Sequence, residues 1–154
     1  MKKIAKIKDL NKIAFDLIKD IKKIKKTKNK KVKSETATVV ALSGDLGAGK
    51  TTFTQEIGKI LKIKNKMVSP TFVIMKKYPV VDDFFKYLIH IDAYRLESGE
   101  ELQKLGWEEL IKDEKNLIFL EWPERVPECV SSNVYNVELE HIDENTRSIK
   151  FWYK

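Results

Sequence analysis

The sequence predicts an α/β fold: a mainly parallel sheet with some strands of mixed direction, a C-terminal β-hairpin, and helices on both faces. Three observations support this prediction. Residues 38–42 form an apolar, β-branched strand, and a glycine-rich loop and a helix over residues 52–61 follow it directly. Two more apolar segments, 87–92 and 116–122, each contain an acidic residue at or near their end. Residues 133–153 hold two alternating segments around a short turn, which predicts the hairpin.

The other elements follow from local patterns. Apolar residues at helical spacing predict an amphipathic helix over residues 9–26, and the polar segment 27–35 is expected to be a loop. A Ser-Pro-Thr turn precedes a short strand over residues 72–75, and residues 78–86 are expected to connect a hairpin. Residues 99–112 predict one or two short helices, interrupted at a glycine.

The length of 154 residues predicts one domain over residues 1–154. Residues 1–34, the lysine-rich amphipathic helix and loop, hold 14 lysines and three aspartates, whereas residues 35–154, the body that contains the glycine-rich loop, hold 16 basic and 20 acidic residues. The net charge of +7 therefore comes from one end of the chain. Two interpretations stay open for that end: a solvated helix face, or a segment that contacts RNA phosphates.

The sequence predicts neither a membrane-spanning segment nor a secretory signal, because it lacks both a run of about 18 apolar residues and a compact apolar leader. The single Cys129 has no partner for an internal disulfide. A cytoplasmic location is therefore expected.

Residues 44–51 match the phosphate-binding pattern G-x-x-x-x-G-K-[ST] (the P-loop) at every fixed position. Glycines let backbone amides point at phosphate oxygens, the lysine reaches the β- and γ-phosphates, and the threonine hydroxyl ligates Mg²⁺. The sequence thus predicts a P-loop NTPase-like fold that binds a nucleoside triphosphate with Mg²⁺. The candidate nucleotide-binding residues are Asp45, Leu46, Gly47, Ala48, Gly49, Lys50, Thr51 and Thr52.

Two acids are candidate partners of Thr51 at the metal, Asp92 and Glu121. Both close apolar strands, and ligands of α/β sheets bind at the carboxyl ends of strands. Thr71, in the Ser-Pro-Thr turn, is a candidate sensor of the γ-phosphate. His90 shares a strand face with Asp92 and is expected to be structural. Arg95 and Arg125 are either charge-stabilising groups or surface residues.

Four blocks of the chain together resemble the TsaE (YjeE) family. They are LSGDLGAGKTTF at residues 42–53, VSPTF at 68–72, HIDAYRL at 90–96 and LEWPE at 120–124. Each block alone is general, but the four in this order and spacing are specific to the family.

The resemblance implies a small ATPase that binds ATP and Mg²⁺ and hydrolyses ATP slowly. It also implies two partner subunits, TsaD-like and TsaB-like, which place N6-threonylcarbamoyladenosine in tRNA. By position in the blocks, the catalytic candidates are Lys50, Thr71, Asp92, Glu121 and Trp122, and the metal candidates are Thr51, Glu121 and Asp92. For the nucleotide, Asn11 is the candidate adenine contact and Arg125 a further candidate.

Two other functions remain alternatives at this point: a small-molecule kinase and a non-catalytic, ATP-dependent adaptor. A GTPase is not favoured, because the segment beginning Asn65-Lys66 lacks the aspartate that reads guanine.

Overall fold

The computed structural model describes residues 2–31, 36–131 and 134–153. The strands are β1 Lys2–Lys6, β2 Thr38–Ser43, β3 Met75–Pro79, β4 Tyr87–Asp92, β5 Asn116–Glu121, β6 Tyr135–Asp143 and β7 Thr146–Tyr153. The α-helices are α1 Leu10–Lys31, α2 Lys50–Ile60, α3 Gly99–Lys104 and α4 Trp107–Lys112.

All seven strands form one sheet in the order β1-β7-β6-β2-β5-β4-β3. The four central strands, β6, β2, β5 and β4, run parallel to one another. The outer strands β1, β7 and β3 are antiparallel to their neighbours, and β6 and β7 form the C-terminal hairpin. The predicted fold class is therefore confirmed, with its parallel strands at the centre and its mixed directions at both edges.

Helices cover both faces of this sheet, as predicted. Successive side chains of a strand point to opposite faces, and β2 follows this rule. Val40 and Leu42 pack in the core cluster beneath α1 and α2, whereas Val39 and Ala41 pack in the cluster beneath α3 and α4. Because both of its faces are buried, β2 is apolar from Val39 to Leu42.

Helix α1 contributes six buried apolar residues to the first core. Its buried apolar residues recur at helical spacing and are Leu10, Ile13, Ala14, Leu17, Ile18 and Ile21. The helix continues to Lys31, so the predicted loop over residues 27–35 is wrong for residues 27–31, and residues 32–35 lie outside the described part. Lys25 favours this continuation, because its ammonium group donates to the Glu114 carbonyl at 2.7 Å.

Two edge strands differ from the prediction. β1 was not expected, and it pairs along its whole length with β7. β3 begins at Met75 instead of residue 72, because the amides of Val73 and Ile74 both donate to the Pro70 carbonyl and close a turn. The predicted connection over residues 78–86 is shorter than expected, since Tyr78 and Pro79 still pair with β4.

The elements that carry the acids lie where the sequence predicts them. β4 has the predicted bounds, and β5 ends at Glu121, one residue earlier than expected. The two short helices α3 and α4 are separated by Leu105 and by Gly106, which has a φ of 91°. Among the described residues, the structure has no helix of the length and apolarity that crossing a bilayer requires.

Candidate functional site

The phosphate loop joins the carboxyl end of β2 to the first turn of α2. Gly44, Gly47 and Gly49 have φ angles of 138°, 79° and 101°, which favour glycine. Gly44 is also confined by its surroundings, since a Cβ there would lie 2.2 Å from the Leu139 carbonyl oxygen of β6. Strand β6 of the hairpin therefore packs directly against the start of the loop and restricts its position.

Lys50 begins α2 and is only 5% exposed. Its ammonium group donates to the carbonyls of Gly44 and Asp45 at 2.5 and 2.9 Å and lies 4.0 Å from the centre of the Trp122 ring. Burial lowers the pKa of Lys50, and the carboxylates of Glu121, Glu124 and Asp92 oppose that shift. Only carbonyls accept its hydrogen bonds, so the cation is available to a phosphate.

Glu121 meets Thr51 because β5 and β2 are parallel neighbours, with Glu121 opposite Leu42 at their carboxyl ends. The Thr51 hydroxyl donates to Glu121 Oε1 at 2.9 Å. The same carboxylate oxygen lies 2.6 Å from His90 Nε2. His90 is fully buried, so it fixes the orientation of the Glu121 carboxylate, which agrees with the structural role expected of it.

Asp92 lies beside Glu121, because the two residues are partners at the carboxyl ends of the parallel strands β4 and β5. Both of its oxygens accept hydrogen bonds: one from the Thr71 hydroxyl at 3.0 Å, the other from the Tyr94 amide at 3.0 Å. The Thr71 hydroxyl is also 2.6 Å from that of Ser69. This polar chain ties the Ser-Pro-Thr turn to β4.

An aromatic pair forms one wall of the site. Trp122 follows β5 in the left-handed region with a φ of 59°, and its ring centre lies 5.0 Å from that of Tyr94. The Arg125 guanidinium carbon lies 5.6 Å from the Tyr94 ring centre, on the outside of the pair. The unusual backbone at Trp122 directs its ring toward Lys50.

These groups surround a cavity of about 290 Å³. Its lining residues are Leu46, Gly47, Gly49, Lys50, Thr51, Thr52, Thr71, Asp92, Tyr94, Glu121 and Trp122. Four other predicted residues do not line it: Asp45, Ala48, Arg125 and Asn11. Asn11 is exposed, and its amide group donates to Glu56 of α2 at 2.9 Å.

The donor set suits Mg²⁺ held jointly with a polyphosphate. In residues 2–31, 36–131 and 134–153, no group of three or more His, Cys, Asp or Glu side chains could hold a metal ion alone. The Thr51 hydroxyl and the Glu121 carboxylate are adjacent hard oxygen donors, and Mg²⁺ is usually bound by one or two protein oxygens, substrate phosphates and waters. The residues present therefore fit the ion.

Two residues of the site were not found by sequence reasoning. Tyr94 lies in the HIDAYRL block, where its place two residues after Asp92 was the available signal. Arg147 of β7 is 8% exposed and donates from Nε to the Ala48 carbonyl at 3.2 Å. It carries no motif, so only the paired hairpin brings it to the phosphate loop.

Comparisons with known proteins agree on one family. The family model described as "Threonylcarbamoyl adenosine biosynthesis protein TsaE" matches residues 15–149. A Rickettsia felis protein named "tRNA threonylcarbamoyladenosine biosynthesis protein TsaE" is 43% identical over 110 residues, which cover 71% of this chain and 61% of that protein. The Aquifex aeolicus protein of the same name is 36% identical, over 75% of this chain and 77% of the relative.

The match thus spans about three-fifths of the Rickettsia felis relative. Among solved structures, Bacillus subtilus YdiB superposes with a TM-score of 0.63 at 24% identity, over 98% of this chain and 83% of that one, which supports the fold. The family model covers the phosphate loop, both acids, β6 and the first half of β7. The chain therefore belongs to the TsaE family of threonylcarbamoyl adenosine biosynthesis proteins.

Proposed function

We propose that this protein is a cytoplasmic Mg²⁺-dependent ATPase that serves the threonylcarbamoyladenosine modification of tRNA. The observation that carries the proposal is the 2.9 Å contact between the Thr51 hydroxyl and Glu121, inside a cavity bordered by the phosphate loop and Lys50. The role in tRNA modification is inferred from the names of the relatives, and the ATPase activity from the residues that line the cavity.

In this proposal the loop 45–49, with Thr52, binds the phosphates of ATP through its backbone amides. Lys50 leaves the loop carbonyls and neutralises the β- and γ-phosphates. Thr51 and Glu121 hold Mg²⁺, which supplies charge stabilisation at the reacting phosphate. His90 keeps Glu121 in place through the 2.6 Å contact.

The Ser-Pro-Thr turn responds to the nucleotide in this scheme. Thr71 lines the cavity and donates to Asp92, so a γ-phosphate that accepts from Thr71 competes with that bond. Asp92 Oδ2 would then be free to turn toward the metal, directly or through water, while Oδ1 still accepts from the Tyr94 amide. Trp122 stays a catalytic candidate, Arg125 a nucleotide-contact candidate and Asn11 an adenine-contact candidate.

The partners belong to the proposal as well. TsaD-like and TsaB-like subunits would carry out the transfer to tRNA, while this chain uses ATP to license their complex. Exposed apolar side chains beside the cavity, Leu46 at 78% and Phe72 at 83%, support a contact with another protein at this end.

The test compares Lys50→Ala with Lys59→Ala, a control that removes an exposed lysine of the same helix. We expect Lys50→Ala to weaken ATP binding at least about 100-fold, because the polyphosphate loses its only buried counter-charge from the loop. The control should bind like the unchanged protein. Isothermal titration with a non-hydrolysable ATP analogue and Mg²⁺ measures both.

A second variant separates catalysis from binding. Glu121→Gln keeps the size of the side chain but weakens the metal site, so hydrolysis should fall about 100-fold or more while nucleotide binding falls less than about 10-fold. Binding without any hydrolysis in the unchanged protein, alone or with its partner subunits, would favour the adaptor alternative. Equal ATP affinity in Lys50→Ala would remove the proposed site.

A further inference from the structure

The second half of α1 lies at the opposite end of the sheet from the phosphate loop. Lys25 donates to the carbonyl of Glu114, which lies two residues before β5, and Tyr135 opens β6. Both mark the amino ends of the parallel strands, whereas the phosphate loop follows the carboxyl end of β2. Any ligand at this end is thus separate from the nucleotide.

Two adjoining grooves open along this half of α1. One, of about 480 Å³, runs between the helix and the ends of β6 and β7, and its aromatic lining residues are Tyr135, Phe151, Trp152 and Tyr153. The other, of about 530 Å³, is lined by Phe84, Phe151, five lysines and two aspartates. The grooves share Asp20, Lys23 and Phe151, so they form one continuous surface, which we call the α1 groove surface.

Of the five lysines on this surface, two form ion pairs and three do not. Lys3 pairs with Asp16 at 2.6 Å, and Lys22 pairs with Asp82. Lys19, Lys23 and Lys26 recur at i, i+4 and i+7 on one face of the helix, and no carboxylate lies within 4.0 Å of them in the part of the chain that the structure describes. The surface therefore presents a row of positive charge about two helical turns long.

Aromatic rings border that row. Trp152 is 37% exposed at the end of β7, and Phe84 is partly exposed beside Lys22. Lysines that follow a backbone, together with rings that accept a stacked base, are the combination that binds single-stranded nucleic acid. A membrane fits less well, because the apolar face of α1, with Ile13, Leu17 and Ile21, is buried in the core.

We propose that the α1 groove surface binds RNA, with Lys19, Lys23 and Lys26 on the phosphates and an unpaired base against Trp152. RNA would then bind at one end of the sheet while ATP binds at the other. The choice of tRNA as the RNA rests on the proposed function, whereas the surface itself does not.

The test uses the full chain without nucleotide and an unmodified tRNA transcript carrying a fluorophore, titrated by anisotropy from about 50 to 200 mM salt. The variant is Lys19→Gln/Lys23→Gln/Lys26→Gln. The matched control is Lys59→Gln/Lys62→Gln/Lys64→Gln, which removes three exposed lysines at another place.

We expect the α1 variant to bind tRNA at least about 10-fold more weakly at low salt, and its slope of log K against log salt to fall by about 2 to 3, one unit for each lost phosphate contact. The control should keep both values. Trp152→Ala should weaken binding of a single-stranded RNA about 5-fold or more, and Trp152→Phe should restore most of it.

Equal losses in both triple variants, or no tRNA binding at the lowest salt, would overturn the proposal. Equally tight binding of a poly-glutamate of matched length would instead assign the surface to an acidic protein. ATP hydrolysis by the α1 variant without RNA should be unchanged. Because RNA binding is measured without nucleotide, a failure here and a failure of the ATPase proposal give different results.

Discussion

Arg147 shows how a single residue outside every motif can support the phosphate loop. Its Nε donates to the Ala48 carbonyl at 3.2 Å, and its Nη1 donates to the carbonyls of Asp143 and Thr146 at 2.6 and 2.9 Å. No carboxylate pairs with it among the described residues. The guanidinium group therefore joins the hairpin to the loop and leaves its positive charge behind the phosphate-binding amides.

We expect Arg147→Ala to weaken ATP binding about 10-fold, because the loop loses both a support and a nearby charge. Arg147→Lys should recover part of the affinity by restoring the charge without the paired donors. Lys150→Ala, which removes an exposed cation of the same strand, is the control and should bind ATP normally. Calorimetric titration with the ATP analogue measures all three, and unchanged affinity in a folded Arg147→Ala would contradict the role.

The site residues that could be predicted from the sequence are those whose position follows from a motif or a strand end. Lys50 and Thr51 came from the loop pattern, and Asp92 and Glu121 from the apolar strands that they close, and all four line one cavity. Arg147 could not be predicted in this way. Its place at the loop depends on the pairing of two strands far along the chain, which local patterns do not encode.

At the scale of elements, the approach of β6 to the end of β2 decides which glycine of the loop can be replaced. A Cβ at Gly44 would meet the Leu139 carbonyl oxygen at 2.2 Å, and Gly44 has a φ of 138°. Gly47 has a φ of 79°, and a Cβ there would meet no atom within 4 Å. Both backbones are strained for alanine, but only Gly44 also has no space.

Gly44→Ala should therefore lower the free energy of unfolding by about 3 kcal/mol or more, since strand β6 or the loop must move. Gly47→Ala should cost only about 1 kcal/mol, the strain of its backbone angle. Urea denaturation without nucleotide measures both values. Similar losses in the two variants would show that the contact with Leu139 is relieved at little cost.

The elements differ in how far the sequence determines them. β2, β4 and β5 are apolar on both faces and were predicted from those runs, because burial on two sides leaves a strong signal. β1 has lysines at positions 2, 3 and 6, so it lacks the apolar run or clear alternation that predicts a strand. Its strand conformation depends on its pairing with β7. Phe72 and Val73 have high β propensity, but the turn closed by the Pro70 carbonyl overrides it.

At the scale of the whole molecule, the two faces of α1 have separate roles. Its apolar face completes the core beneath the sheet, and its lysines form the α1 groove surface on the outside. The nucleotide cavity lies at the other end of the strands, and no residue of α1 lines it: Asn11 of α1 donates to Glu56 of α2 outside the cavity. Stability and nucleotide binding should therefore respond separately to changes in this helix.

Ile21→Ala tests that separation. Ile21 is fully buried in the core cluster, so its truncation should lower the free energy of unfolding by about 3 kcal/mol through the cavity that it leaves. Phe15→Ala, at a position 55% exposed on the same helix, should cost less than about 1 kcal/mol. ATP affinity, measured by calorimetry at a temperature where both variants are folded, should stay within about twofold of the unchanged protein. A 10-fold loss of ATP affinity in folded Ile21→Ala would mean that the core beneath α1 also holds the phosphate loop in its binding conformation.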